Sequence, residues 1–163
     1  MENHLATEGE VLEQMKFERI LVAVDGSDNA ARAAEVATTL AEKFNAELIV
    51  CHAIQTPFYS FTQDGLTVPA DVLKDYIAAA REDAEMMVNK IVQLAKVAHV
   101  KAVSVVQENT FSVVEAIVNL AERRSVDIIV IGTRGRTGFK RLLMGSVSSG
   151  VVNHARCPVL VVR

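Results

Sequence analysis

Apolar and polar residues fall into blocks along this chain, and the blocks switch between two periods. Five short runs, at 17–24, 47–54, 100–106, 126–131 and 158–162, are apolar almost without a break after their first residues. Runs of this length, rich in Val and Ile and without a polar phase, read as strands buried on both faces. Between them the apolar positions recur at helical spacing. Ala30, Ala33, Ala34, Ala37, Leu40, Ala41 and Phe44 mark a first helix, with Ser27 or Asp28 as its cap and Asn45 at its close. Leu73, Ile77, Ala80, Ala84, Met87, Ile91 and Leu94 mark a long second one over 70–98. Val114, Ile117, Leu120 and Ala121 face a third, opened by Ser112-Val-Val-Glu115 in the form of a capping box. Leu143, Val147, Val151 and Ala155 mark the last.

Strands that alternate with helices and are apolar on both faces predict an α/β domain: an open, parallel, five-stranded sheet covered by helices on each side. Residues 1–16 are polar and acidic and read as a flexible N-terminal extension, which leaves 17–163 as the domain. Residues 55–69 carry two prolines, a glycine and the aromatic residues Phe58, Tyr59 and Phe61, and read as a long loop.

Composition narrows the choice of partner. A length of 163 residues predicts one domain, and 50% hydrophobic residues suffice for its core. The net charge of -3 argues against general nucleic-acid binding. No apolar run approaches the roughly 18 residues of a membrane span. The first residues lack the basic and apolar segments of a signal peptide. With two cysteines, Cys51 and Cys157, a disulfide scaffold is not expected, and the expected compartment is the cytoplasm.

The chemistry concentrates after the fourth strand. Gly132-Thr-Arg-Gly135 follows it at once, nine residues intervene, and Gly145-Ser146 opens the last helix. Arg134, Arg136, Lys140 and Arg141 make the intervening loop basic, and Gly138 adds a third loop glycine. A strand, a glycine-rich basic loop and a helix start suit phosphate: glycine admits a close backbone approach, and first-turn N–H groups and the helix dipole favour an anion. A Walker A loop does not fit, because Val151 rather than Lys follows Gly150. The dinucleotide fingerprint does not fit either, since Gly132, Gly135 and Gly138 are spaced by three and follow a late strand.

The Gly-x2-Gly-x9-Gly-Ser spacing closely resembles the nucleotide-binding signature of the universal stress protein family, in its ATP-binding branch. Ile20-Leu-Val-Ala-Val-Asp25-Gly-Ser27 resembles that family's first strand and its acidic end, and Asn153-His-Ala-Arg-Cys-Pro158-Val-Leu-Val-Val162 its last helix end and strand. The resemblance covers Phe17 to Arg163. It implies a Rossmann-like strand order of 3-2-1-4-5. It implies an adenine nucleotide (ATP, ADP or AMP) as ligand, with magnesium arriving through the phosphates. Gly132, Gly135, Gly145 and Ser146 would carry phosphate and ribose contacts, Val147 and Ser148 would add phosphate donors, and Arg134 would reach the phosphates. Asp25 would bind ribose hydroxyls or an adenine edge, and Ala23 and Ala53 would line the adenine slot. The plain alternatives are a solvated arginine at Arg134 and a helix-start role beside Ser27 for Asp25. His52 and His154 read as packing and helix-end residues. No Cys/His spacing marks a zinc site, and no nucleophile–base pair is identifiable. Asn109-Thr-Phe111 stands where the family has Gly, often followed by Pro, and a left-handed Asn is expected to keep that turn.

The expected function is a nucleotide-binding stress-response module, regulatory or sensing, with hydrolysis slow or absent. The alternatives are an ATP-hydrolysing or phosphoryl- or adenylyl-transfer enzyme using the same loop, and a nucleotide-independent scaffold. In the implied order the last strand, Val159 to Val162, is an apolar edge, which predicts a homodimer through it.

Overall fold

The computed structural model describes residues 16–55, 70–133 and 144–163. Its strands are β1 (Arg19–Ala23), β2 (Glu47–Gln55), β3 (Ala102–Thr110), β4 (Ile128–Gly132) and β5 (Val159–Val162). They form one sheet in the order β3-β2-β1-β4-β5, parallel at every pairing. The helices are α1 (Asp28–Phe44), α2 (Ala70–Val97), α3 (Val113–Arg123) and α4 (Ser146–His154). The α/β class and the strand order are those expected from the sequence. All but the last of residues 1–16, the expected extension, lie outside the described residues, as does most of the 55–69 loop.

Side chains alternate across each strand, so one apolar run feeds two cores. Ile20, Val22, Leu48, Val50 and Val130 face α1 and α2. Leu21, Ile49, Cys51, Ile129 and Ile131 face α3 and α4. Burial on both sides leaves these strands no polar phase, which is why they read as unbroken runs. At the amino ends of the strands, Asp127 ties β1 to β4: its Oδ2 accepts the N–H groups of Glu18 at 2.7 Å and Arg19 at 2.8 Å.

Alanines at 30, 33, 34, 37 and 41 let α1 lie close on the sheet. The Ser27 hydroxyl caps α1 by accepting Ala30 N–H at 3.2 Å, and Asn45 closes it in the left-handed region at φ 51°. His99 at φ 60° follows α2 and Ser125 at φ 48° follows α3, with neither a Gly nor an Asn to announce them. Phe44 is partly exposed but meets Phe17 edge-on, with ring centroids 5.0 Å apart.

The structure departs from the sequence pattern in two elements. On α2 the buried row is Ala84, Val88, Val92 and Ala95, while Leu94 is 63% exposed. Apolar residues are spread around this helix, and docking on the sheet selects one row of them. β3 continues to Thr110, so Asn109 lies in a strand and not in a left-handed turn. The β2–β3 register shifts between Ala53 and Gln55, which pairs Gln55 with Thr110, and the Thr110 hydroxyl donates to the Ile54 carbonyl at 3.0 Å. The chain turns at Phe111, after which Ser112 caps α3 by accepting Glu115 N–H at 3.2 Å.

Cys51 lies in β2 and Cys157 just before β5, three strand spacings (about 14 Å) away across the sheet. Both are free thiols. Burial pushes the Cys51 thiol from the ordinary 9.0 to about 12, against a smaller lowering by the Arg123 charge. Burial also raises Cys157. The folded state thus holds the Cys51 proton more tightly than the unfolded chain. The associated stability is complete below pH 9 and is lost as pH rises toward 12. Urea unfolding across that range should show a smaller alkaline loss for Cys51→Ala than for wild type. A thiol reagent at pH 8 should spare Cys51 until the protein unfolds, and rapid native labelling of Cys51 would contradict its place in the core.

Candidate functional site

The chain leaves β1 toward β2 and β3 on one side of the sheet and then crosses to β4 and β5 on the other. At such a reversal the loops beyond the carboxyl ends diverge and leave a crevice. A cleft of about 800 Å3 lies there. Ala23 and Asp25 reach it from the end of β1, Ala53 from β2 and Gly132 from β4. Gly145, Ser146, Val147 and Ser148 reach it from the start of α4. These residues are far apart in sequence, and only the strand order brings them together. Arg134 and Gly135 lie outside the described residues, as do Arg136, Gly138, Lys140 and Arg141.

Gly132 ends β4 beneath the first turn of α1. A Cβ on it would stand 2.8 Å from the backbone carbon of Asn29 and 2.9 Å from its oxygen. The first glycine of the motif is therefore required by helix packing, whatever the cleft holds. Thr133 follows, buried, and its N–H donates to the Val162 carbonyl at 2.7 Å. Its own carbonyl accepts the Gly145 N–H at 2.7 Å and the Ser148 hydroxyl at 3.0 Å. Thr133 thus fixes the start of α4 against the end of β4. The Ser148 hydroxyl also lies 3.0 Å from the Gly145 carbonyl, and its single proton is shared between the two acceptors. Ser148 is only 2% exposed, and its hydroxyl serves this clamp.

Gly145 is the N-cap of α4, extended at φ -74° and ψ 161°, with no side-chain cap and no acidic residue in the first turn. The N–H groups of Ser146, Val147 and Ser148 have no acceptor within the helix. They point outward from a positive helix end, which suits an anion. Across the strand ends, Asp25 Oδ1 accepts the Ser27 N–H at 3.0 Å and the Ser27 hydroxyl at 2.6 Å. The helix-start role weighed for Asp25 is therefore present. Between them Gly26 takes φ 83°, a conformation that only glycine holds without strain.

Sequence reasoning missed one wall of the cleft. Tyr76, Ala80, Asp83 and Met87 line it from α2, one turn apart, and Val113 and Ile117 from α3. Their helical spacing was visible, but spacing does not say which stretch of a helix overhangs the strand ends. His52 also lines the cleft, and its ring is bonded to the Val24 carbonyl. Among the described residues no group of three or more His, Cys, Asp or Glu is placed to hold a metal ion.

The family model described as the universal stress protein family matches residues 16–163. The chain belongs to that family. Universal stress protein YxiE of Bacillus subtilis is 35% identical over 151 residues, covering 90% of this chain and 99% of its own. The solved structure of universal stress protein UspA from Lactobacillus plantarum superposes with a TM-score of 0.80 at 26% identity, over 91% of this chain and 99% of that one. A universal stress protein solved in complex with cAMP superposes with a TM-score of 0.59 at 28% identity, over 91% and 98%. The Rossmann-like fold of this universal stress protein is thus shared along nearly its whole length.

Gly132→Ala tests the packing role of the first glycine in this universal stress protein. The added methyl meets backbone, which cannot rotate away, so stability should fall by about 1–3 kcal/mol. Chemical denaturation without ligand measures this. An unchanged midpoint would mean that α1 does not approach β4 as described.

Proposed function

We propose that this universal stress protein binds an adenine nucleotide at the carboxyl ends of its strands and serves as a regulatory or sensing module in the stress response, with hydrolysis slow or absent. The observation that carries the reading is the first turn of α4, which has no side-chain cap among the described residues and opens to the same cleft as Asp25. Phosphate would lie on the amides of Ser146, Val147 and Ser148, with Gly145 leaving room for it and Gly132, Gly135 and Arg134 joining through the loop. The base would lie by Ala23 and Ala53, and Asp25 would take ribose hydroxyls. The relative solved with cAMP supports an adenine nucleotide as the ligand class. Magnesium would be held mainly by the phosphates, as that ion commonly is.

The reading places the protein in the cytoplasm, in accord with its two free thiols. It takes 17–163 as the family domain and 1–16 as an extension. It also takes β5 as the seam of a homodimer. β5 is an edge strand, and Leu160 is 36% exposed on it. The unpaired N–H and C=O groups of an apolar edge recruit a further strand. Two-fold symmetry would pair Val159 to Val162 antiparallel with its copy.

Isothermal titration with ATP, ADP, AMP and cAMP tests the ligand. Gly145→Val keeps a backbone conformation that valine accepts but fills the phosphate approach. Ser146→Asp suits the helix dipole but repels phosphate. Each should weaken binding by about tenfold or more. Ser146→Asp should keep stability, and Gly145→Val, which puts a disfavoured residue at the N-cap, should cost about 1 kcal/mol and stay folded. Wild-type affinity in both folded variants would sink the assignment, and steady phosphate release at turnover rates would replace the sensing role with the enzymatic one.

Light scattering over a dilution series tests the seam. Leu160→Lys with Val162→Lys should shift a dimer toward monomer by placing like charges near the pairing axis. A wild-type monomer at high micromolar concentration would remove the dimer from the proposal.

A further inference from the structure

The ring Nδ1 of His52, in β2, lies 2.7 Å from the carbonyl oxygen of Val24. A carbonyl oxygen only accepts, so Nδ1 carries the proton. Val24 is the first residue beyond β1, and its N–H donates to the Cys51 carbonyl at 2.9 Å. In a parallel ladder a residue bonded in this way also accepts, through its carbonyl, the N–H two residues further along the partner strand. For Val24 that N–H belongs to Ala53. The imidazole of His52 has taken the acceptor instead.

Ala53 is turned toward that place. Backbone groups alternate along β2: Glu47 N–H donates to the Glu18 carbonyl on the β1 side, and Leu48 N–H to the Lys101 carbonyl on the β3 side. Cys51 accepts from the β1 side, so Ala53 presents its N–H and C=O to that side too, just past the end of β1. Among the described residues none accepts the Ala53 N–H. His52, Ala53 and Val24 all line the cleft.

We propose that His52 is a positioning residue for the base: its imidazole occupies the Val24 carbonyl and so keeps the Ala53 N–H open to a ligand. This rests on the adenine-nucleotide reading above. An adenine edge offers a ring-nitrogen acceptor beside an amino donor, which matches a backbone N–H beside a C=O. Hypoxanthine offers the reverse, a ring N–H beside a carbonyl. With His52 in place the site selects adenine. Without it the Val24 carbonyl draws in the Ala53 N–H, the ladder closes by one more bond, and the donor that reads the base is lost.

Two measurements on the full chain test this, each with His52→Phe and His52→Asn. The asparagine amide nitrogen stands as many bonds from Cα as Nδ1 and restores the donor. The first is hydrogen exchange at the Ala53 amide without ligand. It should be unprotected in wild type and His52→Asn, and slower by about tenfold or more in His52→Phe. The second is the ratio of AMP to IMP affinity. It should favour AMP by about tenfold in wild type and His52→Asn and approach unity in His52→Phe. A merely structural role would lower the melting temperature without moving that ratio. Wild-type exchange and wild-type ratio in His52→Phe overturn the role of His52 alone. A wild-type protein that binds neither nucleotide overturns the ligand reading and this role with it. Should His52→Phe not fold, a protected Ala53 amide in wild type or in His52→Asn overturns the proposal, and an open one in both supports it.

Discussion

β1 lies between β2 and β4, paired in parallel with both, and every described part of the cleft hangs on that placement. The strand is only five residues long, yet it sets two cores at once. Ile20 and Val22 join the layer under α1 and α2, and Leu21 and Ala23 join the layer under α3 and α4. A parallel strand in this position cannot turn a face to water, so its whole run is apolar and its polar work is postponed to the residues just past its end. Asp25, Gly26 and Ser27 stand there, where the chain must leave the sheet and begin α1. The same need that ends the strand supplies the cleft with its carboxylate.

The other side of the cleft is built by a similar economy of backbone bonds. Thr133 donates to β5 and accepts from Gly145 and Ser148. Three contacts on one buried residue hold the first turn of α4 over the strand ends. Those contacts use the Gly145 amide and the Ser148 hydroxyl, and none of them uses the amides of Ser146, Val147 or Ser148. Gly132 belongs to the same construction from the opposite face, since only glycine lets the first turn of α1 rest on the last residue of β4. Motif glycines are commonly ascribed to ligand approach alone, but here one of them is required by the packing that shapes the site.

Much of this was legible in the residues because local rules govern it. Ser27 and Ser112 cap helices as their types and positions foretold, and Asn45 closes α1 in the conformation that its short polar side chain tolerates. Other features carried no local signal. His99 and Ser125 adopt the left-handed region because their helices must end against the sheet, not because their side chains favour it. Asn109 stayed in β3 because a register shift beside Ala53 lengthened the strand pairing. Leu94 and Val88 are both apolar, and only docking decided that Val88 is buried and Leu94 is exposed.

The sequence by itself determined the α/β class, the helix caps, the buried strands and the glycine motif, and its resemblance to a family supplied the strand order. These follow from period, side-chain shape and backbone preference, which act over a few residues. The tertiary structure alone decided which side chains share the cleft: Tyr76, Asp83 and Met87 from α2, and His52 turned back onto Val24. It also decided that Gly132 and the Ser148 hydroxyl serve packing and closure. Contacts of this kind depend on where whole elements rest against one another. That is set by two shared cores acting together, and no window of neighbouring residues contains it.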